Sequence, residues 1–476
     1  MTSFGILLVV LSIILGVGIA VLSTRYSKSK MKKDEHFFTA GRSVSTALMV
    51  ATFVAYAVGT GLLFSPAESA YTTGLTAMIG YALAISIAYV IFIPVSRRIR
   101  ERIPEGHTIG EYTKVRYGKF MYIVTLVTTT VYMFILFTSN LTGAAIAFKY
   151  IGGVPMVLSV LVVGVPTIYF ATRGGVSAAI FSNGLQSILI TPFLILPAIY
   201  VLIHFGGSGM VYDSIMKVQP EFLKIFSSSG IQFAVMIIIA VTAAELLNQT
   251  LWQRVYSAKN HKVVRNALLS AAIMIFPMTI VAAFFGLSAV AMNIEVPHTS
   301  VVGALVVDAS VPRWVCLLFV LVIMLGASST GGDALSGFSS IFSIDIIKSI
   351  KPGLEAKKSV LAARIGAVAF GLLGMVVAYF APSILFLLLM ADLLASAAVV
   401  PVIVGLYSPK ISGTVAALAT IAGIVSGLPM FFAGNSLFSF LTALIVSAFI
   451  VLIGHFSGKK MFNYELLKTE ITDIEE

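Results

Sequence analysis

Thirteen apolar segments of spanning length recur along this chain of 476 residues. A run of about 20 apolar residues crosses a bilayer as a helix, because a helix satisfies its own backbone hydrogen bonds in hydrocarbon. Hydrophobic residues make up 58% of the chain and charged residues 11%, and the mean hydropathy is +1.01, which excludes an ordinary soluble protein. The segments lie at about 4–22, 44–66, 75–95, 120–147, 154–171, 178–205, 231–249, 266–292, 314–345, 359–380, 383–407, 413–433 and 436–456. The sequence therefore predicts an all-α polytopic membrane protein with about 13 transmembrane helices.

Basic residues indicate the orientation of these segments. Of the 31 Lys and Arg residues, the ones on the predicted outer side are Lys149, Lys217, Lys224 and Arg313. This asymmetry follows the positive-inside rule. The formal net charge of +11 therefore indicates a protein in a lipid bilayer, and no nucleic-acid partner is expected. It predicts a multi-pass protein of the plasma membrane, with an outer N-terminus and a cytoplasmic C-terminus. The first apolar segment precedes its basic cluster, which predicts a retained helix rather than a cleaved signal peptide.

Two connecting stretches carry further expectations. The stretch after the third segment, IPEGHTIGEYTKVRYGK, is polar and is predicted to be a cytoplasmic loop. The longest outer connection, about 206–230, is predicted to hold an amphipathic surface helix around MVYDSIMKV.

The ninth segment ends in the unusual stretch GASSTGGDALSGFSSIFSID, from Gly326 to Asp345. Hydroxyl and carboxyl groups cost free energy in lipid unless they find partners. Small and hydroxylated residues suit either close helix contacts or oxygen ligation of a hard cation, and both interpretations stay open here. Asp333 lies one turn from Ser329 on the same face, and an acid within a membrane segment indicates a functional site.

Two other segments contain breaks in their apolar pattern. Gly59, Thr60 and Gly61 weaken a continuous helix in the second segment. The seventh segment ends in a polar cluster in which Trp252 and Arg254 are predicted to be anchors at the inner membrane interface.

Several stretches, in this order, resemble the sodium:solute symporters. They are FFTAGRS at 37–43 with AYTTGL at 70–75, TIGEYTKVRYG at 108–118, RGGVSAAIFSNGLQ at 173–186, NQTLWQRVYSAKN at 248–260 and SSTGGDALSGFSSIFSIDI at 328–346. The resemblance implies the LeuT-type fold, a 5+5 inverted repeat of segments two to six and seven to eleven, with one N-terminal and two C-terminal helices added.

The implied domain organisation follows from these repeats. It divides the chain into an N-terminal helix with a basic loop, the first repeat, an extracellular loop, the second repeat, and the C-terminal helices with a short acidic tail. The corresponding residues are 1–36, 37–205, 206–230, 231–408 and 409–476.

The resemblance also implies a sodium site between the second and ninth segments. Its ligands would be the carbonyl oxygens of Ala55, Val58 and Gly326 and the hydroxyls of Ser329 and Thr330. Such a set of about five uncharged oxygens suits a monovalent cation, since several carboxylates would favour a divalent one. Sodium is therefore the expected coupling ion.

The chain departs from the family pattern beside this site. Asn183 stands where many members have an acid, and Gly332 where many have a hydroxyl. Asp333 on the facing segment could replace the missing acid, either for a second cation or as a group that carries a proton. A structural partner for Asp333, such as Asn183 or a serine hydroxyl, is the alternative.

Seven polar residues are candidates for solute binding: Tyr56, Thr60, Glu68, Glu245, Asn248, Gln249 and Asp392. Glu68 could instead lie solvated in an outer vestibule, and Asp392 could pair with a polar neighbour. Val241 and Ala244 stand where sugar transporters of the family have polar side chains, which argues against a sugar. The embedded acids favour a cationic or polar nitrogenous solute over an anion.

These observations predict sodium-coupled symport of a small polar organic solute by alternating access. A proton-coupled symporter that uses Asp333 is one alternative. A transporter-like membrane sensor is another, although the tail after His455 is too short for a signalling module. The sequence contains no HExxH motif or cysteine cluster, and it has no GxSxG motif at a membrane face, so an enzyme is not expected.

Overall fold

The computed structural model describes residues 2–204, 206–295, 311–351, 353–380 and 384–472. Within these ranges the regular elements are helices, apart from one isolated parallel β-bridge between Val44 and Ala258. The predicted all-α class is confirmed. The domain boundary predicted at residue 205, and residues 473–476 of the acidic tail, fall outside the described residues.

We number the helices longer than one turn in chain order. They are α1 (Ser3–Lys30), α2 (Thr46–Ala57), α3 (Thr60–Thr73), α4 (Leu75–Arg102), α5 (Ile109–Tyr117), α6 (Lys119–Gly152), α7 (Met156–His204), α8 (Ser208–Val218), α9 (Ser228–Leu246), α10 (Gln249–Ser257), α11 (His261–Ala291), α12 (Arg313–Ser340), α13 (Ala356–Phe380), α14 (Ile384–Val404), α15 (Gly413–Phe432), α16 (Ser436–Ser457) and α17 (Glu465–Glu470). A π-helical turn, Ile341–Ile347, continues α12 toward the cytoplasm predicted for that end.

Eleven helices in the described ranges are long and apolar enough to cross a membrane, or twelve when the bent pair α2–α3 counts as one crossing. Helix α7 has 49 residues. At roughly 1.5 Å per residue it is more than twice as long as the bilayer core is thick. Its backbone leaves the helical region at Gly175 (φ 55°, ψ −146°), between the predicted fifth and sixth segments. The total of thirteen crossings stays a prediction.

The predicted interruption of the second segment is present, and it is confined to two residues. Val58 has ψ 47° and Gly59 has ψ −178°, so α2 and α3 meet at a bend of 49°. The freed N–H of Thr60 donates to Oδ1 of Asn140 on α6 (2.9 Å). A side chain of another helix therefore satisfies the backbone that the break exposes.

A second break separates α9 from α10 at Leu247 and Asn248. The Asn248 side chain accepts a hydrogen bond from the N–H of Thr250 (2.9 Å) and so caps α10. Helix α12 is the most buried of the candidate crossings and packs against α2, α6 and α7. Both the first break and α12 thus lie in the protein core.

The polar stretch predicted as a loop after the third segment instead contains helix α5. Thr108 and Glu111 form a capping box, in which each side chain accepts a hydrogen bond from the other residue's N–H. This T-x-x-E signature was readable in the sequence. The amphipathic surface helix predicted in the outer connection is confirmed as α8, where Val211 and Ile215 face inward.

Candidate functional site

The break in the second segment packs directly against α12. A Cβ atom built on Gly326 would lie 2.1 Å from the carbonyl oxygen of Val58, so only glycine allows this approach. The hydroxyl of Thr330 donates to the carbonyl oxygen of Tyr56 (2.7 Å), one residue after the buried Ala55. The structure therefore brings the interrupted helix and the hydroxyl-rich helix together.

The five predicted sodium ligands belong to the two helices that meet at this contact and to the break between α2 and α3. Ser329 donates its hydroxyl proton to Oδ1 of Asn183 (2.9 Å), as Thr330 does to a backbone carbonyl. Each hydroxyl oxygen then keeps lone pairs that can face a cation. Neutral oxygens from two helices fit a monovalent ion, and their role as sodium ligands stays a prediction.

Asp333 has two buried partners. One carboxylate oxygen accepts from Nδ2 of Asn183 (2.7 Å), and the other forms an ion pair with the guanidinium of Arg254 on α10. The expected Asn183 partner is therefore present, together with a cationic partner that the sequence did not indicate. Arg254 and Trp252 are 0% exposed, so the prediction that they anchor the inner interface was wrong.

A cavity opens beside the break, between α3, α4, α6, α9 and α14. Three candidate residues line it: Tyr56, Glu245 and Asp392. Thr330 lines it as well, so the cavity and the candidate sodium site share a wall. The remaining lining polar groups, which the sequence did not single out, are Tyr81, Tyr132 and Asn140.

Four other candidate residues lie outside the lining of this cavity. Thr60 donates its hydroxyl to the carbonyl of Ser139 (3.3 Å), and the half-buried Glu68 lies farther along α3. Asn248 donates from Nδ2 to the Tyr56 hydroxyl and, at 3.3 Å, to a carboxylate oxygen of Glu245. Asn248 thus orients two residues of the cavity wall.

The side chain of Gln249 lies against the start of α5 and not in the lining of the cavity. Its amide nitrogen donates to the carbonyl of His107 (2.9 Å), and its amide oxygen accepts from the N–H of Ile109 (2.9 Å). It therefore joins α10 to α5 rather than facing the cavity.

Asn140 is a site residue that was not predicted from the sequence. Its side-chain oxygen accepts from both the N–H and the hydroxyl of Thr60 at the start of α3. The available signal was an amide side chain within the fourth segment, since such a group needs a partner in a membrane.

A buried histidine joins the start of α5 to the stretch before α2. His107 contacts the carboxylates of Glu35 (2.8 Å) and Glu111 (3.2 Å) through its two ring nitrogens. Burial alone lowers the pKa of His107, but the charges of Glu111 and Glu35 outweigh it and raise that pKa to about 9. The imidazole is therefore a cation at neutral pH.

A family model of sodium:solute symporters matches residues 37–423. The chain belongs to the sodium:solute symporter family. Its curated relatives include a urea-proton symporter of Oryza sativa subsp. japonica, which is 21% identical over 85% of this chain and 61% of the relative. A spermidine transporter of Candida albicans is 23% identical over 67% of this chain and 60% of the relative. The sodium/glucose cotransporter of Vibrio parahaemolyticus is 26% identical over 55% of this chain and 50% of the relative.

The chain spans about three fifths of the length of the urea transporters that it matches. Among solved structures, a Na+-coupled sialic acid symporter superposes with a TM-score of 0.81 at 16% identity, covering 97% of this chain and 99% of that one. MhsT in complex with L-phenylalanine gives a TM-score of 0.56 at 15% identity, over 87% and 99% of the two chains. The predicted LeuT-type fold is confirmed.

Proposed function

We propose that this sodium:solute symporter couples inward sodium flow to the uptake of a small polar organic solute by alternating access. The observation that carries the proposal is the contact of the broken second segment with Gly326 and Thr330, directly beside a cavity lined by Glu245 and Asp392. A sodium ion held by these neutral oxygens would join the two helices, and its differential affinity for the two states would bias the exchange between them.

The proposal includes the arrangement expected from the sequence. The chain would lie in the plasma membrane with its N-terminus outside, and alternating access would come from one helix bundle moving against the other. The membrane partner is supported by the apolar crossings of the described helices.

Proton coupling is a second candidate function, supported by the relative named as a urea-proton symporter. Asp333 was the expected proton carrier, but Arg254 already balances its charge. The cavity carboxylates Glu245 and Asp392 have no ion-pair partner among the described residues and are the better candidates.

Uptake into proteoliposomes tests both candidates. Labelled urea, spermidine and glucose are supplied while sodium and proton gradients are imposed separately. Sodium coupling predicts accumulation that requires the sodium gradient. Accumulation driven by the proton gradient alone would contradict it. In that case Asp333→Asn, Glu245→Gln and Asp392→Asn would show which carboxylate carries the proton. Solute binding without uptake would favour a sensor.

A further inference from the structure

The cavity is lined by two acidic side chains. Glu245 at the end of α9 and Asp392 in α14 both line the cavity, whereas its lining in the described part of the chain contains no Lys, Arg or His. No ion pair within the described ranges involves either acid. Two carboxylates that share one poorly hydrated site repel each other and require positive charge or protons.

The other charged groups near the site do not supply this positive charge. Arg254 is paired with Asp333 on the far side of the Ser329 and Asn183 hydrogen bond. One sodium ion at the break, next to Thr330, would offset a single negative charge. With both acids ionised and one sodium ion bound, the cavity keeps one unbalanced negative charge.

We infer that the solute is an organic monocation with N–H donors, of the guanidinium or primary ammonium class, held between Glu245 and Asp392. This inference rests on the proposed sodium coupling. The loaded cavity would then be neutral, with two carboxylates, one sodium ion and one cationic solute. An anionic solute would meet two carboxylates and no basic side chain.

The remaining walls suit such a cation. The rings of Tyr56, Tyr81 and Tyr132 line the cavity, and aromatic faces attract ammonium and guanidinium groups. Carboxylates also accept paired N–H donors of a planar guanidinium in a bidentate geometry. Asn248, which holds both Tyr56 and Glu245, would fix this part of the wall before the solute arrives.

Guanidinium and urea provide the test, because they have nearly the same planar skeleton and differ by one charge. Binding of each at millimolar concentration is measured by calorimetry on the purified full chain in sodium buffer. Guanidinium is expected to bind at least about tenfold more tightly than urea, since hydrogen bonds to a charged donor are roughly twice as strong as neutral ones. Equal affinities, or tighter binding of urea, would overturn the inference.

Two single variants, Glu245→Gln and Asp392→Asn, locate the charge. Each is expected to weaken guanidinium binding by about tenfold or more and to leave urea binding nearly unchanged. Glu221→Gln, which removes an exposed carboxylate of the outer loop, is the matched control and should bind both probes as the wild type does. Full guanidinium affinity in both cavity variants would contradict the assignment. The wild-type comparison of the two probes needs no variant and stands even if a variant fails to fold.

Sodium binding in the absence of solute separates this inference from the proposed function. If sodium stabilises the wild type but guanidinium binds no more tightly than urea, the inference fails and sodium coupling survives. If sodium has no effect on the wild type, the proposed function itself fails.

Discussion

The Cα atom of Gly326 faces the carbonyl oxygen of Val58 so closely that a Cβ atom there would lie 2.1 Å from it. This contact joins α12 to the one place where the second segment stops being helical. Because a carbonyl outside a helix has lone pairs to spare, the contact also places at the helix crossing an oxygen that we propose as a sodium ligand. The break and the close approach are thus two parts of one arrangement.

Gly326→Ala tests that arrangement. The added methyl group would have to push the Val58 carbonyl away, which is expected to destabilise the protein by about 1–3 kcal/mol and to reduce sodium-dependent uptake strongly. Thermal unfolding in detergent and uptake in proteoliposomes measure the two effects. Gly18→Ala, at a position in α1 where a Cβ meets nothing within 4 Å, is the control. Wild-type uptake by the Gly326 variant would contradict the packing described.

The buried pair of Arg254 and Asp333 gives a second prediction. Arg254→Gln leaves the Asp333 carboxylate without its cation in the core and is expected to cost about 3–5 kcal/mol. Adding Asp333→Asn removes the unbalanced charge, so the double variant should be more stable than Arg254→Gln alone. Denaturation of the wild type, both single variants and the double variant completes the cycle. Additive losses would show that the two side chains are not coupled.

The His107 cluster makes stability depend on pH in a defined direction. Its pKa is raised from 6.5 to about 9 in the folded protein. The stabilisation, of order 3 kcal/mol, is therefore complete below about pH 6.5 and is lost as the pH rises through about 9. Thermal unfolding of the wild type and of His107→Gln between these limits checks it. The variant should lack this alkaline loss, and an equal loss in both proteins would exclude His107 as its source.

Local patterns in the sequence predicted several features of the site. The glycines near residue 59 predicted the break, and hydropathy predicted the helical class, because both depend on short-range backbone chemistry. The meeting of the break with α12 was predicted from the family resemblance, since no local signal specifies which helices touch. The same limit explains why the Arg254 partner of Asp333 was missed.

The seventh segment shows why the sequence did not predict which side chains face the cavity. Glu245 and Gln249 lie one helical turn apart in sequence, so an unbroken helix would direct both to the same side. The break at Asn248 restarts the helical phase, and Glu245 reaches the cavity while Gln249 binds the backbone of α5. A helix break of this kind depends on side-chain caps and tertiary contacts that periodicity does not contain.

Equilibrium binding of radiolabelled sodium to the purified protein tests the central claim most directly. The wild type is compared with the Ser329→Ala/Thr330→Ala double variant and with Ser328→Ala, a neighbour whose hydroxyl instead accepts from Thr167 at 2.9 Å. The account predicts saturable sodium binding in the wild type and in Ser328→Ala, and at least about tenfold weaker binding in the double variant. Unchanged sodium affinity in the double variant would contradict it.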